Sequence, residues 1–420
     1  MELKLEVSLF DMVVSLSDAL DLISSTVTGH HKRVAYIATS IADKLDLSQQ
    51  EKEELLIAGA LHDVGALALN KKLSSLMFDF NASTDVGNHA ELGYQTLHKF
   101  SPFKRVAKII RYHHTSWKER KKNSNVVLAA NILYLADRID VLIDFETEIL
   151  SQTDRIKDQI KEYQTDIFFS KVVEAFLDVA TKDAFWFNIV SSWVDQFLVN
   201  STVKNCVKLD FELLLRLAQI FGRIIDFRSS FTATHSSGVA ASAQRLARLS
   251  GFSRAKFSMM RIAGYLHDLG KLAIPVEILN KTGKLTATEF NIIKKHTFYT
   301  YQILDGIPEL AEIKNWAAFH HERLDGAGYP FGLDKDKLSR GARIMGVADV
   351  FTAITEDRPY RAGMEKEQAT KILTDMVQDG AVDGSVVQVL VDNYEGINHI
   401  RKSAQAIESE EYKKFRQRSI

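Results

Sequence analysis

One feature constrains this chain above all others: it carries the same histidine-aspartate motif twice. AGALHDVGAL at 58–67 matches AGYLHDLGKL at 263–272, an offset of 205 residues. The match extends outward through spaced histidines. His30 to His62 spans 32 residues, as does His235 to His267; His89 to His113 spans 24, as does His296 to His320. The interval between them differs slightly, 27 residues from His62 to His89 against 29 from His267 to His296. Both series close on a histidine pair, His113-His114 and His320-His321, and then on an Ala-Asp step, at Asp137 in ILYLADRID and Asp349 in IMGVADVFTAI. Farther on, FFSKVVEAFLDVA at 168–180 resembles DGSVVQVLVDNY at 383–394. A repeat this long implies two copies of one domain, each burying the same apolar faces.

The periodicity within each copy is helical. In Phe211–Phe227 the apolar positions Phe211, Leu214, Leu217, Phe221 and Ile224 recur three and four apart, and 36–47 and 126–143 read similarly. Convincing alternating strands are absent. Four of the five prolines, Pro275, Pro308, Pro330 and Pro359, lie in the second half, which predicts more fixed turns there. VNSTVKNCVKLD, within 199–210, is the best boundary. The expectation is an all-α chain of two tandem domains, 1–200 and 205–420. Its 46% apolar and 25% charged residues are ordinary for a soluble globular protein.

The second series gathers His235, His267, Asp268, His296, His320, His321 and Asp349. Imidazole and carboxylate suit Fe, Mn, Ni or Zn, and seven such groups exceed the needs of one tetrahedral ion. Asp268, directly after His267 on what should be one helix, is the natural bridge between two ions. Two metals about 3.5–4 Å apart can hold a hydroxide nucleophile and clamp a phosphodiester oxygen. Lys271, one turn beyond His267, can point into the same site and hold a phosphate oxygen as a point charge. Gly270 permits a close approach. HHERLDGAGYP at 320–330 describes a shaped loop, with Arg323 placed to grip a phosphate by two parallel hydrogen bonds. His31, His98 and His399 fall outside the two series and are read as structural.

These residues resemble the HD superfamily of metal phosphohydrolases, and HHERLDGAGYP with ADVFTAITEDRPYR at 348–361 points to its HD-GYP branch. The resemblance covers about 210–400. It implies an all-α enzyme that hydrolyses a cyclic dinucleotide, cyclic di-GMP or 3′,3′-cGAMP, to a linear 5′-phosphorylated dinucleotide at a two- or three-metal centre, commonly of iron or manganese. By position, one metal takes His235, His267, Asp268 and Asp349; the other shares Asp268 and takes His296, His320 and His321. Lys271 holds the phosphate, and Arg358 and Arg361 resemble the base- and phosphate-binding set. Two departures matter. Phe231 stands where three-metal members carry a glutamate, which implies two metals. Thr352 stands where cyclic di-GMP enzymes often carry a guanine-contacting aspartate, which tilts the expectation toward 3′,3′-cGAMP. A two-HD chain of this length also resembles the short members that degrade that nucleotide.

The first copy keeps His30, His62, Asp63, His89, His113, His114 and Asp137, but Ala66 replaces the lysine and HHTSWKERK at 113–121 contains no GYP loop. It is expected to be a regulatory or dimerising module, with a different hydrolytic activity or a metal-free relic as alternatives. For the whole chain the alternatives are an HD hydrolase of another nucleotide and a non-catalytic signalling scaffold. A net charge of −1 argues against a DNA- or RNA-binding surface. The lone Cys206 excludes an internal disulfide, in keeping with a cytoplasmic protein. No leader-like N-terminus and no stretch of about 18 apolar residues appear, so no membrane span is expected.

Overall fold

The structure is a computed structural model. It describes residues 5–23, 28–69, 84–120, 125–191, 194, 207–228, 233–358 and 361–417. Phe231 lies outside them.

The chain divides into two units, one of residues 16–207 and one of 1–15 with 208–420. The division at Val207 falls inside the expected boundary. The N-terminal limit differs from the expected 1–200: residues 1–15 belong with the second repeat. The reason is a two-residue strand pair that carried no sequence signal, in which β1 (Val7–Ser8) runs antiparallel to β2 (Lys208–Leu209), with Val7 opposite Leu209.

Most of the other described residues are helical. The first unit takes most of its residues from α1 (Leu9–Asp21, which crosses the division), α2 (His30–Ala42), α3 (Gln49–Leu61), α4 (Thr84–Leu97), α5 (Lys104–Arg111), α6 (Asn125–Leu142), α7 (Thr153–Glu162), α8 (Ser170–Val179) and α9 (Asp183–Val190). The second has α10 (Phe211–Phe227), α11 (His235–Leu249), α12 (Arg254–Leu266), α13 (Val276–Leu279), α14 (Ala287–Asp305), α15 (Ala311–Ala318), α16 (Arg340–Thr355), α17 (Lys366–Gln378), α18 (Gly384–Asp392) and α19 (Tyr394–Gln417).

Packing repeats as the sequence does. α2 lies against α3 and α6, and α11 lies against α12 and α16. Each helix before the HD motif starts on a serine cap, Ser48 for α3 and Ser253 for α12, whose hydroxyl accepts from the third backbone N–H of its helix. Apolar side chains then bury each bundle around its histidines: Phe168, Phe176, Trp186 and Leu133 in the first unit, Phe221, Leu266, Trp316 and Phe351 in the second.

Candidate metal centres

In both repeats the helix before the HD pair stops just short of it. α12 ends at Leu266, His267 is its C-terminal cap, and Asp268 opens a 3₁₀ turn, Leu269–Ala273. His267 and Asp268 were expected on one helix, where adjacent side chains diverge by about 100°. The break brings them together instead: His267 Nε2 lies 3.2 Å from Asp268 Oδ2. Gly270 makes the turn possible, because a Cβ there would fall 2.0 Å from the His296 carbonyl of α14. Gly65 faces the His89 carbonyl in the same way at 2.1 Å.

All seven predicted ligands of the second repeat converge. His235 Nε2 sits 3.1 Å from Asp349 Oδ1 and 4.0 Å from Asp268 Oδ2. Asp268 Oδ1 sits 3.5 Å from His296 Nε2 and 4.0 Å from His320 Nε2. His321 Nδ1 is 3.9 Å from Asp349 Oδ2. Two tight groups result, His235–His267–Asp268 and His296–His320–His321, each with its ligand atoms within 4.8 Å of one another. Asp268 directs one oxygen at each group.

Backbone carbonyls fix the rings. His267, His296 and His320 place Nδ1 at 2.8, 2.6 and 2.6 Å from the carbonyls of Gly264, Ile293 and Ala317. An Nδ1–H donated there leaves the Nε2 lone pair for a metal. His267 Nε2 and Asp268 Oδ1 are buried with no hydrogen-bond partner, which is costly unless a cation completes them. Burial holds His296 in its neutral, ligand-ready form by lowering its pKa to about 3, and it lowers those of His320 and His321 as well. The residues present therefore fit a pair of divalent ions.

His235 is held differently. Both Glu356 oxygens lie 3.2 Å from its Nδ1. Burial disfavours a charged imidazole, but Glu356 and Asp349 outweigh it and push its pKa up to about 10. Glu356 is fixed in turn by Arg358 at 2.9 Å and by Gln405 of α19 at 3.0 Å. Sequence reasoning missed Glu356 as a site residue. It lies inside the quoted ADVFTAITEDRPYR, and its seven-residue distance from Asp349 places it near the same helix face.

The first repeat assembles its set too. His62 Nε2 is 3.3 Å from both His30 Nε2 and Asp63 Oδ2. Asp63 Oδ1 is 3.4 Å from His89 Nε2, which is 3.3 Å from His113 and 3.1 Å from His114. Asp137 Oδ1 lies 3.5 Å from His30 Nε2. Asp140 takes the part that Glu356 plays, 2.7 Å from His30 Nδ1, and Arg33 holds it at 2.6 Å. Arg138, itself buried, pairs with Asp137 at 2.7 Å.

The HD domain family matches residues 27–142 and 219–386. The chain is 31% identical over 395 residues to the 3′3′-cGAMP-specific phosphodiesterase 1 of Vibrio cholerae, a match covering 90% of each protein. It belongs to the HD-GYP family. A cyclic di-GMP phosphodiesterase of Pseudomonas aeruginosa is 38% identical over 162 residues, 38% of this chain and 39% of that protein. Among solved structures, a cyclic GMP-AMP-specific phosphodiesterase of V. cholerae superposes with a TM-score of 0.66 at 26% identity, covering 93% of this chain and 98% of that one.

The GYP loop that gives the family its name is anchored by a residue the sequence reading passed over. Glu322, buried, accepts from the backbone N–H groups of Phe331 at 2.7 Å and Leu333 at 2.9 Å. Gly328 must be glycine, since a Cβ would meet Arg323 N at 2.4 Å and Glu322 Cα at 2.5 Å. Tyr329 then lies beside His321, with ring centroids 5.0 Å apart.

The expected substrate residues fare unevenly. Lys271 is at the site, its ammonium 2.5 Å from Asp268 Oδ2 and its side chain 22% exposed. Arg358 holds Glu356, the backbones of Arg358 and Arg361 exchange hydrogen bonds, and Arg361 donates to the Ala353 carbonyl at 2.7 Å. Arg323 grips Asp325 at 2.6 Å, directed along its own loop. Thr352 needs correcting. It is fully buried, and its hydroxyl donates back to the Ala348 carbonyl at 2.8 Å, so it packs the helix and does not face a nucleotide. The sequence argument from Thr352 to substrate choice therefore falls away.

Proposed function

We propose that residues 208–420 hydrolyse a cyclic dinucleotide, 3′,3′-cGAMP and/or cyclic di-GMP, to a linear 5′-phosphorylated dinucleotide. The observation that carries this is the seven-ligand set with its unpartnered His267 Nε2 and Asp268 Oδ1, set beside Lys271 and the GYP loop. The 3′,3′-cGAMP preference draws support from the relative matched along 90% of both chains.

His235, His267, Asp268 and Asp349 would hold one ion, and Asp268, His296, His320 and His321 the other. Iron or manganese is the first choice, nickel or zinc the alternative. When bound, such ions supply an activated water and offset charge on the phosphoryl oxygens. The protein supplies placement. Asp268 presents its two oxygens to the two histidine groups. Lys271, tied to Asp268 and partly exposed, can meet a phosphate oxygen without leaving the cluster. Glu322 fixes the loop that brings Tyr329 against His321. Arg358 and Arg361, on the Glu356 side, would position the nucleotide. Such chemistry is mostly preorganised charge and orientation.

The first unit, with Ala66 and no GYP loop, is proposed to regulate or to mediate pairing of two chains, without hydrolysing the dinucleotide itself. Among the described residues no helix is long and apolar enough to cross a membrane; a cytoplasmic setting is part of the proposal.

The test is product analysis with cyclic di-GMP and 3′,3′-cGAMP side by side, under Mn²⁺ and under anaerobic Fe²⁺. A linear dinucleotide from either supports the reading. Intact substrate in every arm, with the protein folded and metal-loaded, overturns it.

A further inference from the structure

The two repeats share one more residue ahead of their ligands. Asp21 lies nine residues before His30, and Asp226 nine before His235. In the second unit Asp226 accepts from the Ser236 backbone N–H at 3.0 Å and from its hydroxyl at 2.9 Å. In the first unit the place of Ser236 is taken by His31. Asp21 accepts from Gly29 N–H at 3.0 Å, and its other oxygen lies 2.5 Å from His31 Nδ1.

A carboxylate on Nδ1 keeps the proton there and turns the Nε2 lone pair to the opposite edge of the ring, the arrangement in which histidines ligate metals. His31 Nε2 has no hydrogen-bond partner, and the residue is 1% exposed. It points into the first cluster: Nε2 is 4.0 Å from Asp63 Oδ2, and the ring centroid is 5.4 Å from that of His30 and 5.3 Å from that of His62. A structural histidine would place both nitrogens on protein groups. This one places one on a carboxylate and directs the other, unsatisfied, at the aspartate that bridges the cluster.

We propose that the first repeat is a metal centre in its own right, with His31 as a ligand that the second repeat lacks. Its donors are His30, His31, His62, His89, His113, His114, Asp63 and Asp137. Six imidazoles to two carboxylates favour a borderline transition cation such as Zn²⁺, Co²⁺, Ni²⁺ or Fe²⁺ over a hard one such as Mg²⁺. The donors come from α2, the end of α3, α4, the end of α5 and α6, so ions bound at its two histidine groups tie five segments of the unit together. With Arg138 on Asp137 and no lysine at 66, the ions serve as a clamp on the unit. This holds whether or not the second centre is hydrolytic.

The experiment uses the full chain carrying His267→Ala, Asp268→Ala and His320→Ala, which leaves neither histidine group of the second centre complete. It is loaded with Zn²⁺ or Co²⁺, desalted and analysed for metal. At least about one equivalent is expected to remain, and to disappear when Asp63→Ala is added. Adding His31→Ser instead, which installs the residue of the second repeat, is expected to weaken retention against a chelator by about tenfold or more and to change the Co²⁺ absorption spectrum. His31→Asn, which keeps a donor for Asp21 but offers no nitrogen lone pair, serves if the serine variant does not fold. A folded chain with those three second-centre substitutions that holds no metal overturns the centre. Unchanged retention and an unchanged Co²⁺ spectrum after replacing His31 overturn the ligand.

Discussion

In the first unit the leading histidine rests on Asp140, three residues beyond Asp137, and Arg33 holds that aspartate. In the second it rests on Glu356, seven residues beyond Asp349, and Arg358 and Gln405 hold that glutamate. The places of Asp140 and Arg33 fall on Thr352 and Gly238, where even a Cβ on Gly238 would come within 2.9 Å of Gln405 and Thr352. The same task, orienting one imidazole, is met from different chain positions because α19 covers the second cluster. The cations differ as well. Arg138 is buried on a ligand of the first centre, with Val350 in its place in the second, whereas Lys271 stands at the rim of the second with Ala66 in its place in the first. A closely matched ligand spacing thus leaves open what a centre does. The placement of one cation, inside or at the rim, separates a clamp from a site that can meet phosphate.

The largest effect tests that separation directly. Asp268→Ala removes the bridge and should reduce turnover of either cyclic dinucleotide by about 10³-fold or more, on the order of 4 kcal/mol of barrier. Asp63→Ala, the same change in the first unit, should leave turnover within about threefold of wild type. Comparable losses from the two would erase the distinction. Next in size is Lys271→Ala, expected to lower kcat by about 100-fold with a smaller effect on KM, as for loss of one preorganised charge. The converse, Ala66→Lys in the Asp268→Ala chain, should not restore product. Product there would mean that the cation alone, without the GYP loop, makes a site.

The orienting carboxylates come third. Glu356→Gln should weaken metal retention and activity of the second centre by about 10–100-fold, and Asp140→Asn should weaken metal retention in the first alone. Glu356 also sets a pH dependence in chelated protein. The His235 pKa is raised from 6.5 to about 10, so the pairing contributes stability that is fully present below 6.5 and is lost as pH rises through about 10. Metal-free wild type should therefore melt above metal-free Glu356→Gln at pH 7, and the two melting curves should converge above pH 10. A gap independent of pH would assign Glu356 to packing.

The seven residues of each series were legible in the sequence because they form a spacing pattern, and duplication printed the pattern twice. The all-α character followed from three-and-four periodicity in segments such as Phe211–Phe227. What escaped had physical causes. β1 and β2 contribute two residues each, too few to alternate. Glu356 and Gln405 act through contacts between distant segments and Glu322 through backbone N–H groups of its own loop, and one acidic residue among fifty-four carries no mark of such a contact. His31 was set aside because it broke the repeat, yet a departure from a repeat is where two copies can acquire different chemistry. Thr352 erred the other way: a residue type was read as a role before its burial was known.

The smallest expected effect is at Thr352. Thr352→Val removes a hydroxyl whose bond goes to the carbonyl of its own preceding turn, a bond that adds little to a helix already satisfied. The methyl that packs near Gly238 is retained, so the cost to stability should be within about 1 kcal/mol. If the side chain only packs, kcat/KM for 3′,3′-cGAMP and for cyclic di-GMP should each change by less than about threefold, and their ratio should hold. If it reads a base, the variant loses a polar contact to one nucleotide and not the other, and the ratio should move by about tenfold or more. The ratio is the decisive quantity, because a small folding defect lowers both rates together and leaves it unchanged.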